Sequence, residues 1–259
     1  MKCCIFLALV AGVHISLFSV SQPARCQPPE KQEGIVFLLE GVGGLDLLHV
    51  SGKVGLKWQA GLPHEIRQFR WSHGPGCFLM DLQDFRHLEK QSQQLARTIL
   101  AIRRKTPNRP IYFVAHSGGT GLAIRAAELL PPNTIDRIVL LASALSPRRD
   151  LRGALRASRG GIISYYSSHD HLILYLGTMN FGTVDRYYEA SAGYSGFIRP
   201  PNLPNQDELL YRQRLVQIPW NPDMIWHGHY GNHIGAVMPG FLASEVAKWL
   251  QPSHFPVLD

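Results

Sequence analysis

A chain of 259 residues, 45% hydrophobic and 17% charged, carries enough apolar material for one sizeable core and is short for more than one α/β unit. Its formal charge is +7, but no nucleic-acid-binding motif accompanies the basic residues, which argues against a nucleic-acid partner.

The chain opens on Lys2 and an apolar run from Cys3 to Val20, broken by Gly12, His14 and Ser16 and followed by the small residues Ser21 and Ala24. A basic start, a short apolar stretch and small residues near its end describe a secretory leader over residues 1–24. The remaining 25–259 are then expected as one exported domain, periplasmic or secreted; the run is also long enough to persist as a membrane anchor. Export would leave Cys26 and Cys77, able either to bridge or to stay unpaired.

After a Gln- and Pro-rich lead, Gly34 to Leu39 reads as a buried parallel strand ending in the turn Glu40-Gly41-Val42-Gly43-Gly44. Ile66 to Trp71 is the next strand, closing at Ser72-His73-Gly74-Pro75-Gly76. Asp84 caps a long helix whose apolar positions Phe85, Leu88, Leu95, Ile99 and Ile102 recur at helical spacing. Strand Ile111 to Ala115 leads into a helix from Gly118 to Leu130, and strand Ile135 to Ala142 into an Arg-rich helix after Pro147. There Arg148, Arg152 and Arg156, at i, i+4 spacing, form a stripe able to meet an anionic surface or to be simply solvated. Strand Ile162 to Ser167 follows, then a Gly-, Pro- and Tyr-rich excursion over 171–219 with one helix around Gln206 to Val216. This excursion either overhangs a site or is a surface feature without a catalytic role. Met224 to Trp226 is the last predicted strand, and Ala236 to Leu250 the closing helix. The alternation predicts an α/β fold: a doubly wound, mostly parallel sheet of about six strands with Ile111 to Ala115 central.

The chemistry centres on Ala115-His116-Ser117-Gly118-Gly119, where an apolar strand turns sharply into a helix at a serine flanked by small residues. A serine hydroxyl is a weak nucleophile until a tight turn exposes it beside a base and backbone donors. Gly118 would offer one oxyanion N–H, and Val42 or Gly41 the second. Glu40 at that turn either orients the loop or is an ordinary strand-end charge. The acid is expected at Asp170, just past a strand end, or as an alternative helix cap; Asp185 is its rival. Among His227, His229 and His233, the last stands between glycines immediately before the final helix and is the expected base, with His229 as rival. These histidines, with His169 and His171, are numerous enough to consider zinc. No cysteine pair or HExxH pattern supports it, so neither a metal nor a cofactor is expected.

The order Ser117, Asp170, His233, with the turn Glu40 to Gly44 and Gly231-Asn232-His233-Ile234-Gly235, resembles the α/β-hydrolase superfamily over nearly all of 25–259. Full members usually begin with two antiparallel strands that the short, polar lead cannot supply, so the likeness is to a trimmed α/β-hydrolase core. Phe69-Arg70-Trp71-Ser72-His73-Gly74 with Asp81, Asp84 and Leu95 is similar to less characterised serine hydrolases ending this strand in F-x-W-P-S-x-G, although the proline is missing. The resemblance implies an esterase or lipase-like enzyme acting on a small-molecule or lipid ester through an acyl-enzyme. The alternative is a non-catalytic binding protein that retains the fold.

Overall fold

The structure is a computed structural model that describes residues 33–251; the leader-like segment 1–24 and Cys26 lie outside the described residues. Six strands, β1 (Ile35–Leu39), β2 (Glu65–Phe69), β3 (Ile111–His116), β4 (Arg137–Leu141), β5 (Ile162–Tyr166) and β6 (Leu215–Pro219), form one sheet in the order β2-β1-β3-β4-β5-β6. Every neighbouring pair is parallel. Strands β1, β3 and β4 are buried end to end, which is why their sequences are nearly unbroken Ile, Val, Phe and Leu. The edge strand β2 is half-buried and carries Glu65, Arg67 and Gln68, a polar row that discourages further pairing.

Because side chains alternate along a strand, the sheet feeds two cores. Phe37, Leu39, Phe113 and Leu140 face the layer built by α3 (Phe85–Lys105), α4 (Gly119–Glu128), α5 (Arg152–Ala157) and α8 (Asn205–Arg214). Val36, Leu38, Val114 and Leu141 face the opposite layer. That layer is made by α1 (Leu47–Gly52), which runs on as a π-helix through Lys53–Gln59, and by α9 (Pro239–Phe241), which runs on through Leu242–Val246 and Ala247–Leu250. The shorter α2 (Phe78–Gln83), α6 (Thr178–Phe181) and α7 (Ala192–Ser195) lie in the connections. The fold is therefore a doubly wound α/β sheet, with β3 between β1 and β4. Asp84 caps α3 as its sequence predicts, its carboxylate accepting from His87 N at 2.9 Å.

Three expectations are corrected. The sixth strand is Leu215–Pro219, directly after α8, whereas Met224 to Trp226 lies in a 3-10 helix, Pro222–His227. Asn221 starts that helix by accepting from Asp223 N at 3.0 Å, and Trp226 is 86% exposed, unlike a core strand. Second, α5 begins only at Arg152, so Arg148 stands outside it and no stripe of three forms. Arg152 and Arg156 both grip Asp207 on α8, and Arg148 pairs with Glu189. These cations pair with carboxylates from later parts of the chain. Third, the closing helix starts at Pro239, because Met238 is extended and Gly235–Val237 is a separate 3-10 turn.

Two long-range contacts fasten the molecule away from the sheet's carboxyl ends. His64 accepts from Gly34 N through Nδ1 at 3.0 Å, and its Nε2 donates to Leu250 O at 2.6 Å. Burial holds this imidazole below its ordinary pKa, consistent with a neutral ring that donates at one nitrogen and accepts at the other. At the carboxyl ends, Gly119 is pressed against β1: a Cβ there would lie 2.3 Å from Glu40 O and 2.4 Å from Leu39 O. Gly119→Ala should therefore cost about 1–3 kcal/mol or more, because backbone cannot yield as a side chain does. Urea unfolding checks this; an unchanged midpoint would contradict the close approach.

Candidate active site

Strand β3 ends at His116 and α4 begins at Gly119, leaving Ser117 at φ 51°, a left-handed backbone that glycine adopts more readily. Such a residue costs about 1–3 kcal/mol and persists only where its surroundings over-determine it. Here Ser117 N donates to Leu141 O at the end of β4 at 3.0 Å. Its carbonyl accepts from Thr120 Oγ1 at 2.6 Å and from Thr120 N at 3.0 Å. Ser143 Oγ in turn donates to Thr120 Oγ1 at 3.1 Å. The turn aims Ser117 into a cavity of about 400 Å³ that His233 also lines. Among the described residues its hydroxyl has no hydrogen-bond partner.

Asp170 follows β5, and its Oδ2 lies 2.8 Å from His233 Nδ1, with both side chains buried. A carboxylate acceptor assigns the proton to Nδ1, which leaves a lone pair on Nε2. The loop carrying His233 is held from several sides. Ser167 Oγ donates to Gly231 O at 2.7 Å, and Asn232 Oδ1 accepts from Gly235 N at 2.7 Å. His116, which sequence reasoning missed, donates from Nε2 to His233 O at 3.2 Å, and the two rings are 4.7 Å apart. Burial, reinforced by the neighbouring His233, holds the pKa of His116 well below its ordinary value. Its strand parity was the available signal, since 112, 114 and 116 point to the layer that the chain's last segment covers.

The rivals lie elsewhere. His229 Nδ1 accepts from Gly231 N at 3.3 Å, and its ring meets Phe241 edge-on with centroids 4.7 Å apart. Burial pushes its pKa down to about 4, the state of a neutral packing histidine. Asp185 Oδ1 accepts from Ser146 N at 2.9 Å, outside the cavity. His227 ends the 3-10 helix, His169 packs on Trp220 and His171 on Tyr194. Among the described residues no group of three or more His, Cys, Asp or Glu side chains is placed to hold a metal ion.

The backbones of the two expected oxyanion donors lie close together. A Cβ on Gly118 would lie 3.4 Å from Val42 N, and among the described residues neither the Val42 nor the Gly118 N–H has an acceptor. Two buried carboxylates shape the Val42 turn. Glu40 accepts from Leu48 N at 3.1 Å and His49 N at 2.6 Å, capping α1. Its burial raises its pKa against those two N–H donors, so it is a loop-orienting group and not an ordinary surface charge. Asp81 accepts from Gly43 N at 2.7 Å, Ser72 Oγ at 2.6 Å and His73 N at 2.9 Å. Burial alone would raise the Asp81 pKa, but these hydrogen bonds outweigh it and the net is lowered. From the 171–219 excursion, Ile173, Leu174 and Phe181 line the cavity; β6 and α8 lie away from it.

No protein-family model and no curated protein matches the chain. Solved structures align with most of it. An esterase from Pyrococcus furiosus is 11% identical over 85% of this chain and 82% of its own, with a TM-score of 0.47. A poly(3-hydroxybutyrate) depolymerase from Bordetella parapertussis is 13% identical over 83% and 80%, at 0.46. A cutinase-like protein from Cryptococcus sp. is 10% identical over 84% and 92%, at 0.45. Likenesses at this level leave the reading of the site to its own geometry.

The buried neutral histidines make stability depend on pH. The unfolded chain binds a proton at His229 near the ordinary value of 6.5, whereas the folded chain refuses it down to about 4. Stability is therefore full above about pH 6.5 and falls as the pH drops towards 4, by about 3 kcal/mol from this residue. His116 acts in the same direction. Thermal unfolding between pH 7 and 4.5 should show the decline, and His229→Gln should show a smaller one; equal declines would contradict the assignment.

Proposed function

We propose that this chain is a serine hydrolase of the α/β-hydrolase type that cleaves carboxylic esters through an acyl-enzyme. The observation that carries the reading is the 2.8 Å contact of His233 Nδ1 with Asp170 Oδ2, in a pair whose histidine shares its cavity with a strained, unpartnered Ser117. His233 Nε2 takes the Ser117 proton as Oγ attacks the ester carbonyl carbon, and Asp170 stabilises the imidazolium that results. The Val42 and Gly118 N–H groups hold the oxyanion, each donor contributing about 3–4 kcal/mol to the barrier reduction. Collapse of the intermediate breaks the ester C–O bond, and His233 protonates the departing alcohol. Water then repeats the sequence on the acyl-enzyme, giving up its proton to His233 and releasing the acid. The hydrogen bond between Ser117 and His233 forms when substrate is bound, as such contacts often tighten only in the complex. His116, Asp81 and Glu40 position this machinery without touching the reacting atoms.

Residues 1–24 support placing the reaction after export. N-terminal sequencing of protein from the native host should then find a start between Gln22 and Gln27; an intact Met1 would point to a retained anchor.

A fluorophosphonate probe tests the chemistry. Wild-type protein should be labelled and Ser117→Ala should not, while His233→Ala should lose turnover by about 10⁴ with the fold retained. Absence of labelling in folded wild-type protein would favour a non-catalytic binding protein. Near-normal activity in His233→Ala would remove it as the base.

A further inference from the structure

The cavity beside Ser117 is walled almost wholly by hydrocarbon. Val42 and Leu82 lie within it, while Leu79, Phe78, Ile173 and Phe181, from 42% to 57% exposed, stand around it. Large apolar side chains left half in water around one concavity mark a ligand groove more often than chance exposure does. The wall has two sides: α2, whose Phe78 ring covers Gly43 of the oxyanion turn, and the stretch from Ile173 to Phe181.

Apart from the Ser117 hydroxyl, His233 Nε2 and the two backbone donors beside them, the polar side chains lining the cavity are already committed. The Glu40 carboxylate is taken by two N–H groups of α1, and the Thr178 hydroxyl donates to Leu174 O at 2.7 Å. His116 bonds the His233 carbonyl, and His233 bonds Asp170. Among the described residues no lysine or arginine lines the space. A sugar, an amino acid or a phosphate would be left there without partners, whereas an alkyl chain needs none. At about 30 Å³ for each methylene-sized group, near the liquid share of a water molecule, a cavity of about 400 Å³ has room for roughly a dozen such units.

We infer that the site takes esters of medium-chain fatty acids, on the order of eight to twelve carbons, with the alkyl chain lying between α2 and the Ile173 to Phe181 segment. The inference rests on the ester-hydrolase reading above and narrows it.

The test is kcat/KM on p-nitrophenyl esters from acetate to dodecanoate, each kept monomeric. The value should climb by about three- to fourfold per added methylene while the chain is being buried, and level off near the length that fills the cavity. In Leu79→Ser/Phe181→Ser, a double substitution at exposed positions, the decanoate-to-butyrate ratio should fall at least about tenfold. A profile that peaks at acetate or butyrate in wild-type protein, with Ser117 still labelled by the probe, would overturn this inference alone. So would an unchanged ratio in the double variant. No turnover at any length together with no labelling would overturn both readings.

Discussion

Everything at the carboxyl ends of this sheet depends on a left-handed serine at the head of its third strand. Ser117 reaches that backbone because β3 is flanked on both sides: β4 supplies the Leu141 carbonyl that fixes its N–H, and β1 presses against Gly119. The register that pairs Leu39 with Ala115 and Leu141 with His116 is what lets both contacts form together. A slip of one residue would exchange the two cores and carry the serine away from the cavity. The cost of the strained residue is offset by packing that would exist in any sheet of this kind, so the strain is local while its support is distributed.

Around that point, buried carboxylates are used chiefly as acceptors for backbone. Glu40 secures the start of α1 and Asp81 secures Gly43 with the turn after β2. Asp136 does the same away from the site, accepting from Ile111 N while Arg103 and Arg159 neutralise it. Asp170 differs in holding a side chain that faces the cavity. Oxygens with several fixed N–H donors behave as rivets for loops that have little apolar area to bury. The cavity can then remain oily inside while the loops that carry it stay in place.

The central strands were legible because a buried parallel strand has to be an unbroken apolar run, and β1, β3 and β4 are such runs. Ser117 and Asp170 could be singled out because each follows a strand whose end the sequence marks, and His233 because glycines flank it ahead of the closing helix. The sixth strand was hidden because Leu215 to Pro219 follows α8 without a glycine or proline between them, and a short apolar run does not distinguish helix from strand. Met224 to Trp226 misled for the same reason. The arginine spacing suggested a shared helical face, but the helix starts too late; Arg152 turns back to Asp150, and the other carboxylates that capture Arg148, Arg152 and Arg156 lie 41 to 55 residues further along the chain. Asp81 had no local signature for its role, since its partners are backbone N–H groups and side chains on two turns that only the fold brings together.

The His64 clamp bears on when the molecule becomes whole. It joins Gly34, beside the first strand, to the carbonyl of Leu250, 186 residues beyond His64. The His233 loop and α9 likewise emerge late in synthesis, long after the Ser117 turn. A growing chain therefore holds the Ser117 turn for more than a hundred residues before His233 and the α9 part of the layer over β1 exist. With such distant contacts closing the structure, the sheet cannot be sealed until Leu250 has been made. On the ester-hydrolase reading proposed above, a nascent chain carries Ser117 without its proton acceptor, so the timing of synthesis would itself keep the incomplete protein inert.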